Sequence, residues 1–120
     1  MIRLNENGTV RLSRLKPEMD VAMYAVEEIL NGFEVDTVIT AGTEEFAPDG
    51  RRYHSVGSYH PRGYALDFRS SDIPKKNRVK AVKRIRTKMR SVDAAYDVIF
   101  ESDHIHVEFD LKKAFVKGEK

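Results

Sequence analysis

The chain has 120 residues, of which 41% are hydrophobic and 33% charged, and a formal net charge of +2. That is enough for one compact core and too little for two. No apolar run approaches the roughly 18 to 20 residues that span a bilayer. Cysteine is absent, which excludes disulfide scaffolds, thiolate metal sites and cysteine nucleophiles. Any bound metal must take nitrogen and oxygen ligands.

The first residues, Met1 to Glu6, contain no secretory-type apolar segment. The expectation is a protein made in the cytoplasm that meets any external target after lysis or inside a particle. Residues 1–14 read as an N-terminal arm or strand, with Thr9 to Leu12 alternating weakly. Lys16-Pro17-Glu18 opens a helix, because proline suits a first helical position and Glu18 and Asp20 favour the positive end of the dipole. Met19, Ala22, Met23, Val26, Ile29, Leu30 and Phe33 give that helix an apolar face, and Asn31-Gly32 stops it.

Val35 to Ala41 is apolar and β-branched and predicts a buried strand. A long polar loop, Gly42 to Tyr59, follows and contains the turn signal Pro48-Asp49-Gly50. Gly63 to Arg69 predicts a second strand, with Ala65 and Asp67 on one face and Leu66 and Phe68 on the other.

Asp72-Ile73-Pro74 opens a second helix over Lys75 to Ser91, striped by Val79, Val82, Ile85 and Met89. It bears Lys75, Lys76, Arg78, Lys80, Lys83, Arg84, Arg86, Lys88 and Arg90 with no acidic residue among them. Such a run is either a solvated face or a patch for a polyanion. No aromatic residues interleave with it, which speaks against nucleic acid.

Asp97 to Glu101 and Ile105 to Asp110 predict an antiparallel pair turning at Ser102-Asp103. Residues 111–120 read as a tail packed near Phe115 and frayed beyond it. The whole predicts a single α+β domain: a mostly antiparallel sheet with helices packed on one face.

Two segments concentrate the chemistry. Ser58-Tyr59-His60-Pro61-Arg62-Gly63-Tyr64-Ala65-Leu66-Asp67 sets a histidine in a loop and an aspartate inside a strand. Aspartate is disfavoured there and, between Leu66 and Phe68, calls for a cation or metal. In Glu101-Ser102-Asp103-His104-Ile105-His106-Val107-Glu108, the strand period puts His104, His106 and Glu108 on one face and apolar residues on the other. A lone His-x-His is ordinarily an exposed or hydrogen-bonded pair; the two segments together point to a metal site.

Ser-x-His-x-x-Gly-x-Ala-x-Asp followed by Asp-x-x-His at a strand start resembles the zinc D-alanyl-D-alanine peptidase family. That family includes carboxypeptidases, dipeptidases and the L-alanyl-D-glutamate endopeptidases of phage lysins, and shares its fold with the Hedgehog signalling domain. The likeness spans Val35 to Phe109. It implies one zinc ion per chain on His60, Asp67 and His106, with Asp103 as general base and Ser58 and His104 near the substrate. It further implies a peptidoglycan stem peptide as substrate, for a monomer of phage-lysin or virion type. An anionic wall polymer at the basic helix is a possible second partner; neither nucleic acid nor membrane is expected.

Glu108 is a candidate to orient a ligand imidazole. His54 is a loop histidine that either lines the cleft or has no special role. Glu101 is an alternative base. Many relatives place a carbonyl-polarising arginine just after the first of these strands. This chain has Gly42-Thr43-Glu44-Glu45 there, leaving Arg51 or Arg52 as replacements. That departure keeps a non-catalytic metal-containing binding module open as the alternative.

Overall fold

The computed structural model describes every residue except Pro48, Tyr53, Ser55, Val56, Glu119 and Lys120, and the side chains of 115–118 also lie outside the description. In chain order the elements are β1 (Ile2–Leu4), α1 (Pro17–Asn31), β2 (Thr37–Ala41), β3 (Ala65–Arg69), a 3₁₀ turn (Lys75–Asn77), α2 (Arg78–Val92), β4 (Tyr96–Phe100), β5 (His104–Phe109) and α3 (Leu111–Gly118). The strands form one sheet in the order β1-β2-β3-β5-β4. β1 runs parallel to β2, and every other pairing is antiparallel. This is the expected α+β class.

Alternation in β3 and β5 divides the sheet into two chemically distinct faces. Leu66, Phe68, Ile105, Val107 and Phe109 point into a core shared with Met19, Ala22, Val26 and Leu30 of α1 and with Ala81, Val82, Ile85 and Met89 of α2. The opposite face receives Asp67, His104, His106 and Glu108. Tyr96 ties the layers together: its hydroxyl donates to the Glu18 carbonyl at 2.6 Å, and burial with nearby Glu18 and Asp93 pushes its pKa up to about 12.

Several boundaries differ from the sequence expectation. Thr9 to Leu12 forms no strand, while the extra strand lies earlier, at Ile2–Leu4. The expected tail is the helix α3, whose first turn is capped when Lys112 N–H donates to Asp110 Oδ1 at 2.9 Å. The expected packing of Phe115 lies outside the described residues. Val79 is 71% exposed and off the α2 seam. Ala81 takes its place, because the buried ridge follows the i, i+4 line Ala81-Ile85-Met89 with Val82 beside it.

Candidate metal centre

Strand register builds the first half of the site. Antiparallel pairing sets Asp67 opposite His106, Arg69 opposite His104 and Ala65 opposite Glu108. Residues directly opposite share a face, so a carboxylate and an imidazole distant in sequence become neighbours. Asp67 Oδ1 lies 2.8 Å from His106 Nδ1.

The second half comes from a tight turn. Gly63 N–H donates to the His60 carbonyl at 3.0 Å, and Gly63 O accepts from Lys16 N–H at 3.1 Å. Gly63 has φ +85°, and a Cβ there would meet Arg14 O at 2.2 Å, so only glycine fits. Ser58 Oγ accepts from His60 N–H at 3.2 Å. The turn delivers the His60 ring, 4% exposed, to the strand face with Nε2 3.3 Å from Asp67 Oδ1.

His60, Asp67 and His106 form a cluster able to hold a metal ion: each offers one ligand atom, and these atoms lie within 4.8 Å of one another. Each imidazole is anchored by its other nitrogen. His60 Nδ1–H donates to the Gly42 carbonyl at 3.0 Å, which turns Nε2 toward Asp67. His106 Nε2 is 2.8 Å from Glu108 Oε1, which leaves Nδ1 facing the cluster. Anchoring the far nitrogen fixes the tautomer and ring direction that coordination requires.

The electrostatics match this geometry. Burial opposes the charge on Asp67, but hydrogen bonds from His106 and His60 prevail and hold its pKa well below the usual carboxylate range. Burial likewise disfavours the His106 imidazolium, but Asp67 and Glu108 on either side raise its pKa above the ordinary value. Both shifts favour positive charge beside the Asp67 carboxylate.

The remaining expected residues gather around this cluster. His104 Nε2 lies 3.6 Å from Asp67 Oδ2, and its Nδ1–H donates to Asp103 Oδ1 at 2.6 Å. Asp103, 82% exposed, thus reaches the cluster through one imidazole. Ser58 lines a cleft of about 410 Å³ together with Gly57, Tyr59, Arg62, His106, Glu108, Asp110 and Lys112. The candidate replacement arginines are engaged elsewhere. Arg51 pairs with Asp49; Arg52 pairs with Glu45 and lies over the Phe46 ring.

Sequence reasoning missed Glu44. It is 7% exposed, and its carboxylate accepts N–H bonds from Arg11 and Gly42. It also meets His54 Nε2 at 3.2 Å. Burial works against its ionisation, yet the His54 and backbone hydrogen bonds hold its pKa below the ordinary value. His54 in turn stacks on His60, with centroids 4.1 Å apart and planes 9° off parallel. The sequence signal for this post was the acidic pair Glu44-Glu45 just after a predicted buried strand.

No protein-family model matches the chain, and no curated protein matches it in sequence.

Proposed function

We infer that the chain is a zinc-dependent peptidase that hydrolyses a bond in bacterial peptidoglycan stem peptides, of L-Ala-D-Glu endopeptidase or D-Ala-D-Ala carboxypeptidase type. The observation that carries this reading is the donor set itself: two imidazoles and a carboxylate with ligand atoms within 4.8 Å of one another, each ring anchored by its far nitrogen. Nitrogen and oxygen donors of this kind suit zinc, and three protein ligands leave a position for solvent or substrate. When bound there, zinc would supply Lewis acidity toward a peptide carbonyl and bring the pKa of a water toward neutrality.

The chain's own residues do the rest. Asp103 takes the proton of the attacking water and returns it to the leaving amine. Its bond to His104 holds that ring beside Asp67, where His104 and Ser58 place the substrate. Glu108 and the Gly42 carbonyl keep the ligand rings from turning. The motif resemblance supplies the substrate class and the delivery to the wall by lysis or a phage particle; among the described residues no helix is long and apolar enough to cross a membrane.

Purified protein should hold one zinc per chain and release new amino groups from sacculi. Undiminished release by a His60→Ala, Asp67→Ala double variant would refute this reading. The turn Gly42 to Glu45 supports a second reading, a metal-containing binding module without hydrolysis. It spends its carboxylate on a structural post and offers no cation to a carbonyl. Unaltered function in Asp103→Asn would favour the module.

A further inference from the structure

The cleft beside His106 contains both acids and bases, but they are not equally available. Glu108 is occupied by His106 Nε2. Asp110 accepts from the Tyr59 hydroxyl at 3.1 Å and from Lys112 N–H. The third acid nearby, Asp97, takes Lys113 Nζ at 2.6 Å.

Arg62 and Lys112 are different. Both line the cleft, both are exposed, and no carboxylate among the described residues pairs with either. Arg62 is nonetheless oriented, because its guanidinium lies over the Tyr59 ring at 5.1 Å. Stacking on an aromatic face leaves the edge of the guanidinium, with its forked N–H donors, open to an oxyanion. The Tyr59 ring is fixed in turn by its bond to Asp110.

We propose that Arg62 and Lys112 form an anchor for a substrate carboxylate, so that this site takes peptides bearing a free carboxylate close to the scissile bond. The assignment deepens the peptidase reading and rests on it for the identity of the peptide. Arg62 sits two residues after His60, and Lys112 two residues after Asp110, at the start of α3. Candidate metal cluster and anchor therefore share the same turn and strand end, and the same cleft. A planar guanidinium binds a carboxylate by two parallel hydrogen bonds, and the ammonium adds a point charge without directional demand.

The test uses muropeptides released from sacculi by a glycosidase, both as isolated and after carbodiimide amidation of their carboxyl groups. Binding is measured by calorimetry on the zinc-loaded Asp103→Asn protein, and cleavage by mass spectrometry with the wild type. Amidation should weaken binding about tenfold, the scale of one charge-assisted hydrogen bond at an open site. Adding Arg62→Ala and Lys112→Ala together should shrink that difference to within about twofold, and Arg62→Lys should restore part of it. Both side chains are exposed, so the fold should tolerate the changes.

Equal binding of the two muropeptide forms, tighter binding of the amidated form, or discrimination that survives the double substitution would overturn the anchor. So would no binding of either form. Discriminating binding without cleavage by the wild type upholds the anchor and removes the peptidase reading. Cleavage without discrimination does the reverse.

Discussion

Asp67 and His106 face each other across the β3–β5 ladder, and Asp67 Oδ1 lies 2.8 Å from His106 Nδ1 while Glu108 Oε1 lies 2.8 Å from His106 Nε2. One imidazole is thus gripped by two carboxylates, of which Asp67 belongs with His60 and His106 to the candidate metal cluster. Glu108 acts on the ring's direction and basicity. Its replacement by glutamine should leave the ligand set complete but lower zinc affinity about 10- to 100-fold. Competition with a chelator measures this. An unchanged affinity in Glu108→Gln would remove Glu108 from the site.

The same grip gives opposite pH dependences with and without metal. In the metal-free protein the raised pKa of His106 means that the folded state binds its proton more tightly than the unfolded chain. That stabilisation is fully present below the unfolded value of about 6.5 and is lost as pH rises through the folded value. The depressed pKa of Asp67 contributes stability that is lost only as pH falls below its unfolded value, in a more acidic window. Zinc must displace the His106 proton, so its affinity should fall about tenfold per unit as pH drops below the folded pKa of His106. Thermal melts from pH 5.5 to 8 should show zinc raising the melting temperature most at the alkaline end.

Much of this centre could be read from residue order, and the reasons for the remainder are physical. The alternation His104, His106, Glu108 against Ile105, Val107, Phe109 is a local property of an extended chain, so both faces of β5 were legible. That Asp67 meets His106 depends on register, which is set by packing between distant segments. Glu44 was opaque because its partners, the N–H groups of Arg11 and Gly42, come together only in the folded chain. The N-terminal strand was expected within residues 1–14 but not at Ile2–Leu4, because that segment is three residues long and largely exposed, held by pairing with β2 and not by its own pattern. α3 was missed because a short basic segment becomes helical on the strength of the Asp110 cap and the seating of Leu111 and Ala114 against the core.

The N-terminal arm has a consequence for stability. Arg11 O accepts Thr43 N–H at 2.7 Å, and Arg14 O lies against Gly63. The arm therefore braces both turns that carry site groups. Gly63→Ala forces a Cβ into the left-handed region and onto the Arg14 carbonyl, 2.2 Å away. The expected loss is roughly 2 kcal/mol or more, read by urea unfolding, with zinc affinity falling because His60 is displaced. Gly50 also has positive φ but nothing within 4 Å of the added Cβ. Gly50→Ala should cost only about 1 kcal/mol and leave zinc binding intact. Equal effects at the two glycines would refute the brace.

The basic face of α2 lies across the sheet's core layer from the metal cluster, so its contribution is separable. Arg78 and Arg86 are spent on backbone carbonyls, and Arg84 lies over Phe33. Lys80, Lys83 and Lys88 have no acidic partner among the described residues and rim a groove between α1 and α2. If they hold an anionic wall polymer, Lys80, Lys83 and Lys88→Gln should reduce retention on whole sacculi and flatten its salt dependence, since exposed charges are screened within about 8 Å at physiological ionic strength. Cleavage of small soluble muropeptides, which have no polymer to offer, should be unchanged. A triple variant retained as strongly as the wild type at every salt concentration would return this helix to an ordinary solvated face.

Asp103 offers the sharpest separation of chemistry from structure. Its carboxylate is largely in solvent and makes its one short contact with His104 Nδ1, so Asp103→Asn removes a charge without opening a cavity. An asparagine oxygen still accepts from that ring nitrogen, and His104 should keep its place. Stability and zinc content are therefore expected to stay at wild-type values. Proton transfer is different, because an amide cannot take a proton from water at neutral pH. Turnover should fall about 10²- to 10⁴-fold, with most of the loss in kcat and little in KM, since binding contacts survive. Loss of zinc in this variant would make Asp103 a structural prop for the cluster. Full activity would shift the base to another group, with Glu101 on the same exposed turn the first to substitute.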